Sequence, residues 1–344
     1  MHRYDHGGDI FDIDIRLDFS VNLNPLGMPD EVKAAIRSHA DEFAAYPDIY
    51  CRELCRAIAA KHGVAPEDVL CGNGAADLIF RIFLARKPNI TLLLAPTFSE
   101  YERAAAFCKS EIRYHRLKEE LGFALTDDIL LDIIPDTDML FLCSPNNPTG
   151  QLIDFPLVQR IAMRCNETNT LLVVDECFLA FTDGISCKGL LDSCPNMAIL
   201  DAFTKRYAMA GLRLGYMLSK NHRLIAAMRQ AGPLWNVSAA AQTAGLAALK
   251  CTGYEEGAAK LIAAERPYMV NALNDMGLKT YPTSANYILF RSEKQLKAPL
   301  QKRGILIRAC GNFEGLDDSF YRVCVMEHEQ NAELITAIKE VLHG

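Results

Sequence analysis

The residues Ala202-Phe203-Thr204-Lys205-Arg206-Tyr207-Ala208-Met209-Ala210-Gly211-Leu212-Arg213-Leu214-Gly215-Tyr216 decide how the chain is read. The apolar run Met197-Ala198-Ile199-Leu200 leads into them and has the length of a short buried strand. A lysine then stands among small and apolar residues, with an arginine eight positions further on. A solvent-facing lysine sits more naturally among polar neighbours. A lysine held in a pocket can lose its proton and form a Schiff base with an aldehyde. A guanidinium can hold a dianionic phosphate as a fork. Few lysines do this, so the stretch carries weight only if the rest of the chain supplies the partners that such chemistry needs.

Working outward, strands and helices alternate. Val69-Leu70-Cys71 is a strand candidate, followed by the turn Gly72-Asn73-Gly74-Ala75-Ala76 and an amphipathic helix carrying Leu78, Ile79, Ile82 and Phe83. Thr91-Leu92-Leu93-Leu94-Ala95 is a strand ended by Pro96, with a helix from about Glu100 to Lys109. Met139-Leu140-Phe141-Leu142-Cys143 is a strand ended by Ser144-Pro145-Asn146-Asn147-Pro148-Thr149-Gly150, with a helix over about Phe155 to Asn166. Leu171-Leu172-Val173-Val174 is a strand ended by Asp175-Glu176. Continuous apolar strands separated by helices predict a mainly parallel sheet covered on both faces, an α/β fold. Ligands of such sheets bind at the carboxyl ends of the strands. Thr97-Phe98, Asn147, Asp175 and Lys205 all fall there.

The flanks differ. Leu17-Asp18-Phe19-Ser20-Val21-Asn22-Leu23-Asn24-Pro25-Leu26-Gly27 is too rich in Asn, Pro and Gly for a regular element and reads as an arm. Helices are expected over Pro29 to Ala45, broken by Tyr46-Pro47-Asp48, and over Arg52 to His62. Beyond Trp235 a long helical stretch is expected from about Ala239 to Met276. Shorter strands follow at Ala285 to Phe290, Ile305 to Arg308 and Tyr321 to Val325, then a last helix from about Gln330 to Leu342. This predicts an N-terminal arm over 1–35 that joins a smaller α+β domain over 236–344, with a large domain over 36–235 between them.

The 344 residues are 50% hydrophobic and 23% charged, with a net charge of −7, which is ordinary globular composition. Without a basic tract, nucleic acid is not an expected partner. The start, Met1 to Gly8, lacks the apolar core of a signal peptide, and no apolar run approaches a membrane span. A soluble, cytoplasmic protein is expected, with no membrane partner. Twelve cysteines are scattered, with no C-x-x-C pair and no matching His cluster, so no metal site is expected and most should be buried, reduced fillers.

Pyridoxal 5′-phosphate, an aldehyde bearing a phosphate, needs a lysine, a carboxylate for its ring nitrogen, a donor for its phenolic oxygen and an anion site. Lys205, Asp175, Asn147, and Arg213 with the Gly74-Ala75-Ala76 turn match these needs in order, and Phe98 is placed to cover a ring face. Singly, each has an ordinary structural explanation: a helix cap for Asp175, a turn for Pro148-Thr149-Gly150, a solvated charge for Arg213. Together, at successive strand ends, they specify the cofactor.

Ser144-Pro145-Asn146-Asn147-Pro148-Thr149-Gly150, Asp175-Glu176, Thr204-Lys205 and Gly211-Leu212-Arg213-Leu214-Gly215-Tyr216 resemble the fold-type I pyridoxal-phosphate enzymes, over essentially the whole chain. Within them the chain resembles the branch that contains histidinol-phosphate aminotransferases and threonine-phosphate decarboxylases. His6-Gly7-Gly8, the Leu17 to Gly27 arm, Ile305 to Arg308 and Gly311 to Asp317 look more like the decarboxylases, as does Phe178, where the aminotransferases typically carry Tyr. The resemblance implies Lys205 as the catalytic lysine, with Thr204 beside it at the cofactor. It implies a phosphorylated amino acid as substrate, held by His6, Gly7, Gly8, Asn22 and Asn24 of the arm and by Arg308 and Arg322 as anion clamps. Which arginine takes phosphate and which carboxylate stays open at this point. It also implies a homodimer with shared active sites, in which Tyr46 reaches the cofactor phosphate of the neighbouring subunit. Aminotransferase-like domains also serve as ligand sensors in transcription regulators. This chain has no helix-turn-helix or basic segment and keeps Lys205.

Overall fold

The computed structural model describes residues 6–343. The expectations that fall on residues 1–5 and 344, at the ends of the expected arm and small domain, lie outside the described residues. The arm contributes one short strand, β1 (Leu17–Asp18). Helix α1 (Asp30–Ser38) stops earlier than the expected run to Ala45, and Ala40–Ala44 forms a separate 3-10 turn. His39 closes the helix, because its backbone N–H and its ring Nδ1 both engage the Ala35 carbonyl. Helix α2 (Arg52–His62) has the expected bounds.

The central sheet is built from β2 (Val69–Gly72), α3 (Ala75–Arg86), β3 (Ile90–Ala95), α4 (Ser99–Phe107), β4 (Glu111–Arg116), α5 (Ile129–Asp132), β5 (Met139–Cys143), α6 (Phe155–Glu167), β6 (Leu171–Asp175), β7 (Met197–Ala202), α7 (Phe203–Arg206), β8 (Gly215–Leu218) and α8 (His222–Gln230). Its order is β2-β8-β7-β6-β5-β3-β4. β8 runs antiparallel to both of its neighbours and every other pairing is parallel, so the fold is α/β with a mainly parallel central sheet. Alternate side chains of one strand enter different cores. Leu140 and Leu142 pack with α6, while Met139 and Phe141 pack with α3 and α4. Burial on both faces is why these strands read as unbroken apolar runs.

The rest comprises α9 (Ala239–Ala248), α10 (Tyr254–Asp275), β9 (Lys279–Thr280), β10 (Tyr287–Arg291), α11 (Lys297–Gln301), β11 (Ile305–Leu306), β12 (Arg308–Ala309), β13 (Phe320–Cys324) and α12 (His328–His343). The single long helix expected over Ala239 to Met276 is two helices. They are parted at Leu249 to Gly253, where Gly253 takes φ 73° as the N-cap of α10. α9 shares a core with Val32 of α1 and Leu54 of α2, whereas Ala258 and Ile262 of α10 belong to a second core with Tyr287, Val323 and Ile338. The expected strand over Ile305 to Arg308 is split between two sheets. β11 pairs in parallel with the arm's β1, while β12 joins the antiparallel sheet β12-β13-β10-β9. The arm is thereby stitched to the C-terminal part of the chain, as Phe19 N–H donates to Leu306 O and Cys324 N–H to Phe19 O.

All twelve cysteines are free, and all but Cys108 and Cys251 are buried. Among the described residues no helix is long and apolar enough to cross a membrane.

Candidate active site

The carboxyl ends of β5, β6 and β7 lie in register, with Cys143 opposite Asp175 and Asp175 opposite Leu200. They form the floor of a cavity of about 360 Å³. Asp175 closes β6 and is 4% exposed. Tyr101 Oη donates to its Oδ2 at 2.7 Å, and Cys177 N–H donates to its Oδ1 at 3.0 Å. Burial pushes the carboxyl above its usual range, and these hydrogen bonds oppose that shift.

Lys205 sits in the single turn α7, directly after β7. Among the described residues its Nζ has no hydrogen-bonding or ion-pair partner and lies 5.9 Å from the centre of the Phe178 ring. Burial, then the charge of Arg322, pushes its pKa down to about 8, which brings the nucleophilic neutral amine within reach of neutral pH. The turn is held from below. Asn24 N–H donates to Lys205 O at 3.1 Å, and Asn24 Nδ2 donates to Arg206 O at 2.8 Å. Arg206 in turn bonds Asp201 at 2.5 Å and Glu255, at the start of α10, at 3.0 Å.

Arg213 lies against the start of α3. A Cβ at Gly74, where φ is 82°, would stand 2.7 Å from Arg213 Nη2, so only glycine lets the guanidinium approach the first turn of the twelve-residue helix. Backbone N–H groups at a helix start beside a guanidinium fork form an anion cradle. The opposite wall comes from the small antiparallel sheet and the arm. Arg322, 5% exposed, donates from Nη2 to Ser20 O at 2.8 Å and from Nη1 to Asn147 Oδ1. Its Nε and the Oδ1 of Asn22 are buried without a partner. Arg308, 4% exposed, donates to Ala309 O at 2.9 Å and to Asn312 Oδ1 at 2.7 Å, and lies 5.3 Å over the Phe313 ring.

The structure brings His6, Gly7, Asn22, Ala75, Ala76, Phe98, Asn147, Asp175, Thr204, Lys205, Arg213, Arg308 and Arg322 to this one cavity. Gly74 backs Arg213 instead of lining it, and Gly8 N–H is spent on Ser20 Oγ at 2.8 Å. Asn24, expected at the substrate, lies outside the lining because its amide is committed to the lysine turn. Tyr46 is 83% exposed and packs 4.9 Å from Trp235, away from this chain's own cavity. The sequence reading missed Glu100, Arg103, Cys177 and Phe313, which also line it. A charged residue in the first turn of a predicted helix looks like solvent-facing dipole compensation, so Glu100 gave no local signal.

A nucleophilic lysine, a buried carboxylate and a helix-start cradle with a guanidinium fit the aldehyde, ring nitrogen and phosphate of pyridoxal phosphate. The fold and cavity thus define a pyridoxal-phosphate enzyme with the aminotransferase architecture. A match to the family model for aminotransferase class I and II covers residues 14–338, and the chain belongs to that family. It is 40% identical to the threonine-phosphate decarboxylase of Salmonella typhimurium, over 98% of this chain and 97% of that protein. It is 30% identical to the adenosylcobalamin biosynthesis bifunctional protein CobDQ of Leptospira interrogans, over 100% of this chain and 42% of that longer protein. The crystal structure of the histidinol-phosphate aminotransferase from Clostridium acetobutylicum superposes with a TM-score of 0.89 at 30% identity, covering 95% of this chain and 99% of that one.

Proposed function

We propose that the chain decarboxylates L-threonine O-3-phosphate to (R)-1-amino-2-propanol O-2-phosphate, a step of cobalamin synthesis. The near-full-length 40% identity to the Salmonella decarboxylase carries this reading, and the likeness to CobDQ supports the pathway. The cavity agrees with it, because two buried guanidinium groups on one wall suit a substrate with two anionic ends.

When bound, pyridoxal phosphate supplies an electron sink conjugated with the substrate's α-carbon. Lys205 would hold the cofactor's aldehyde carbon, Asp175 would serve its ring nitrogen, and Arg213 with Ala75 and Ala76 would hold its phosphate. Arg308 and Arg322 grip the substrate's phosphate and carboxylate, with His6 and Asn22 completing the wall. Which α-carbon bond breaks is set by the orientation they impose. Lys205, the amine placed at this cavity, would carry the proton to the α-carbon. The arm joins the smaller C-terminal part as one unit and the large cofactor-binding part forms the other, with residues 239–248 sharing the large part's core. A cytoplasmic homodimer belongs to the same proposal, with exposed Tyr46 serving the neighbouring subunit's cofactor.

Purified yellow protein given L-threonine O-3-phosphate without a keto acid should release CO₂ over many turnovers. A parallel sample with histidinol phosphate and 2-oxoglutarate should form no glutamate. Glutamate in the second and no CO₂ in the first would make the chain a histidinol-phosphate aminotransferase.

A further inference from the structure

Glu100 is an acidic side chain on the wall of a cavity built for anions. It is 6% exposed and lines the same cavity as Arg308 and Arg322. Its Oε1 stands 2.7 Å from His6 Nε2, a contact that spans 94 positions of sequence. Arg103 Nη1 is 3.4 Å from each carboxylate oxygen, a longer contact from a side chain 53% exposed. Burial opposes the charge of Glu100, yet His6 and Arg103 together hold its carboxyl below the usual range. An ionised carboxylate only accepts hydrogen bonds, so Nε2 of His6 is the donor.

The segment that carries His6 is held at the ring and at the two residues after it. The ring lies 5.7 Å from that of Phe98, and Gly8 N–H is held by Ser20 Oγ. A Cβ at Gly7 would stand 2.3 Å from Ser20 O, so the segment is pressed against the arm at Ser20. Glu100 is the α4 side chain that holds the His6 ring at the cavity wall.

We propose that Glu100 is a positioning residue for phosphate recognition: it fixes the His6 ring at the cavity wall so that the ring's other nitrogen serves the substrate's phosphate. The proposal rests on the reading that the substrate carries a phosphate and that His6 meets it. The imidazolium form of histidine donates from both nitrogens and needs an acceptor on each side. Glu100 is one acceptor and the phosphate is the other. Simple charge counting predicts the opposite effect of removing Glu100. Deleting a negative charge from the wall of an anion site tightens anion binding unless the carboxylate acts through another group.

The sign of the effect is therefore the test. O-phosphoethanolamine has an amine and a phosphate but no carboxylate to lose, so its binding to the holoenzyme can be measured by calorimetry without turnover. Glu100→Gln should weaken it roughly tenfold, the order of one charge-assisted hydrogen bond. It should raise KM for L-threonine O-3-phosphate similarly, with kcat kept within about twofold. In a His6→Asn background the same substitution should add less than about twofold. Ethanolamine, without a phosphate, should bind all variants alike. Tighter or unchanged binding in Glu100→Gln, a full penalty retained beside His6→Asn, or an equal loss for ethanolamine would each overturn the proposal. Should Glu100→Gln lose its cofactor absorbance, Glu100→Asp, which keeps the charge and shortens the reach, carries the same cycle. Absence of CO₂ release by the unmodified enzyme would defeat the reaction assigned above while leaving the phosphate-binding cycle readable.

Discussion

The floor and the wall of the cavity are assembled in different ways. Floor residues Asn147, Asp175 and Lys205 follow successive strands of one sheet and appear in chain order. The wall is made by segments from opposite ends of the chain, and the bond from Arg322 to Ser20 O spans 302 positions. The floor carries the lysine and the buried carboxylate that fit the cofactor's aldehyde and ring nitrogen. In the proposed reading, the wall selects the substrate. Changes in the floor should therefore abolish chemistry, and changes in the wall should move affinity.

The largest effect tests the floor alone. Lys205→Ala should lose the visible absorbance of lysine-bound cofactor and at least ~10³ in turnover, the scale of a lost proton carrier. Retained turnover would remove the basis for the whole site. A smaller effect tests whether floor and wall are independent. Only the neutral amine reacts with an aldehyde, so capture of pyridoxal phosphate by cofactor-free protein should rise about tenfold per pH unit and level off above about 8. Arg322 is the leading charge that lowers the lysine's pKa, after burial. Arg322→Gln should therefore move the plateau to higher pH in stopped-flow absorbance, and an unmoved plateau would show the two regions to be uncoupled.

The smallest effect concerns a residue that changed sides. Asn24 resembles a substrate ligand in sequence, but its Nδ2 is bonded to Arg206 O beneath the lysine turn. Asn24→Ala should cost about 2 kcal/mol in denaturant unfolding, because its Nδ2 donates to Arg206 O and its Oδ1 accepts from Leu26 N–H. KM for L-threonine O-3-phosphate should stay within about twofold; a tenfold rise would return Asn24 to the wall.

Legibility followed the same division. Strand β5 was found with its observed bounds because a doubly covered strand is apolar at every position. β4, with the sequence Glu111-Ile112-Arg113-Tyr114-His115-Arg116, went unseen because it is an edge strand whose residues are largely polar. β8 was hidden inside the glycine-rich motif that follows Lys205, and its reversed direction is a matter of pairing, which periodicity does not encode. The break between α9 and α10 fell within an Ala- and Leu-rich stretch whose two halves serve different cores. Glu100 carried no local mark, since its role depends on a histidine 94 positions away.

What the sequence by itself determined was the α/β architecture, the cofactor and the residues at the strand ends. Local hydrophobic period and strand-end position are short-range properties, and the cofactor's four needs map onto them one by one. What only the tertiary structure decided was the wall: that Asn24 braces the lysine turn, that Arg322 reaches both Asn147 and the arm, and that Glu100 holds His6. Those contacts arise when β1 pairs with β11 and closes the arm over the sheet. Hydrogen bonds between distant segments act over a few ångströms of space, and nothing in neighbouring sequence records which partner that space will contain.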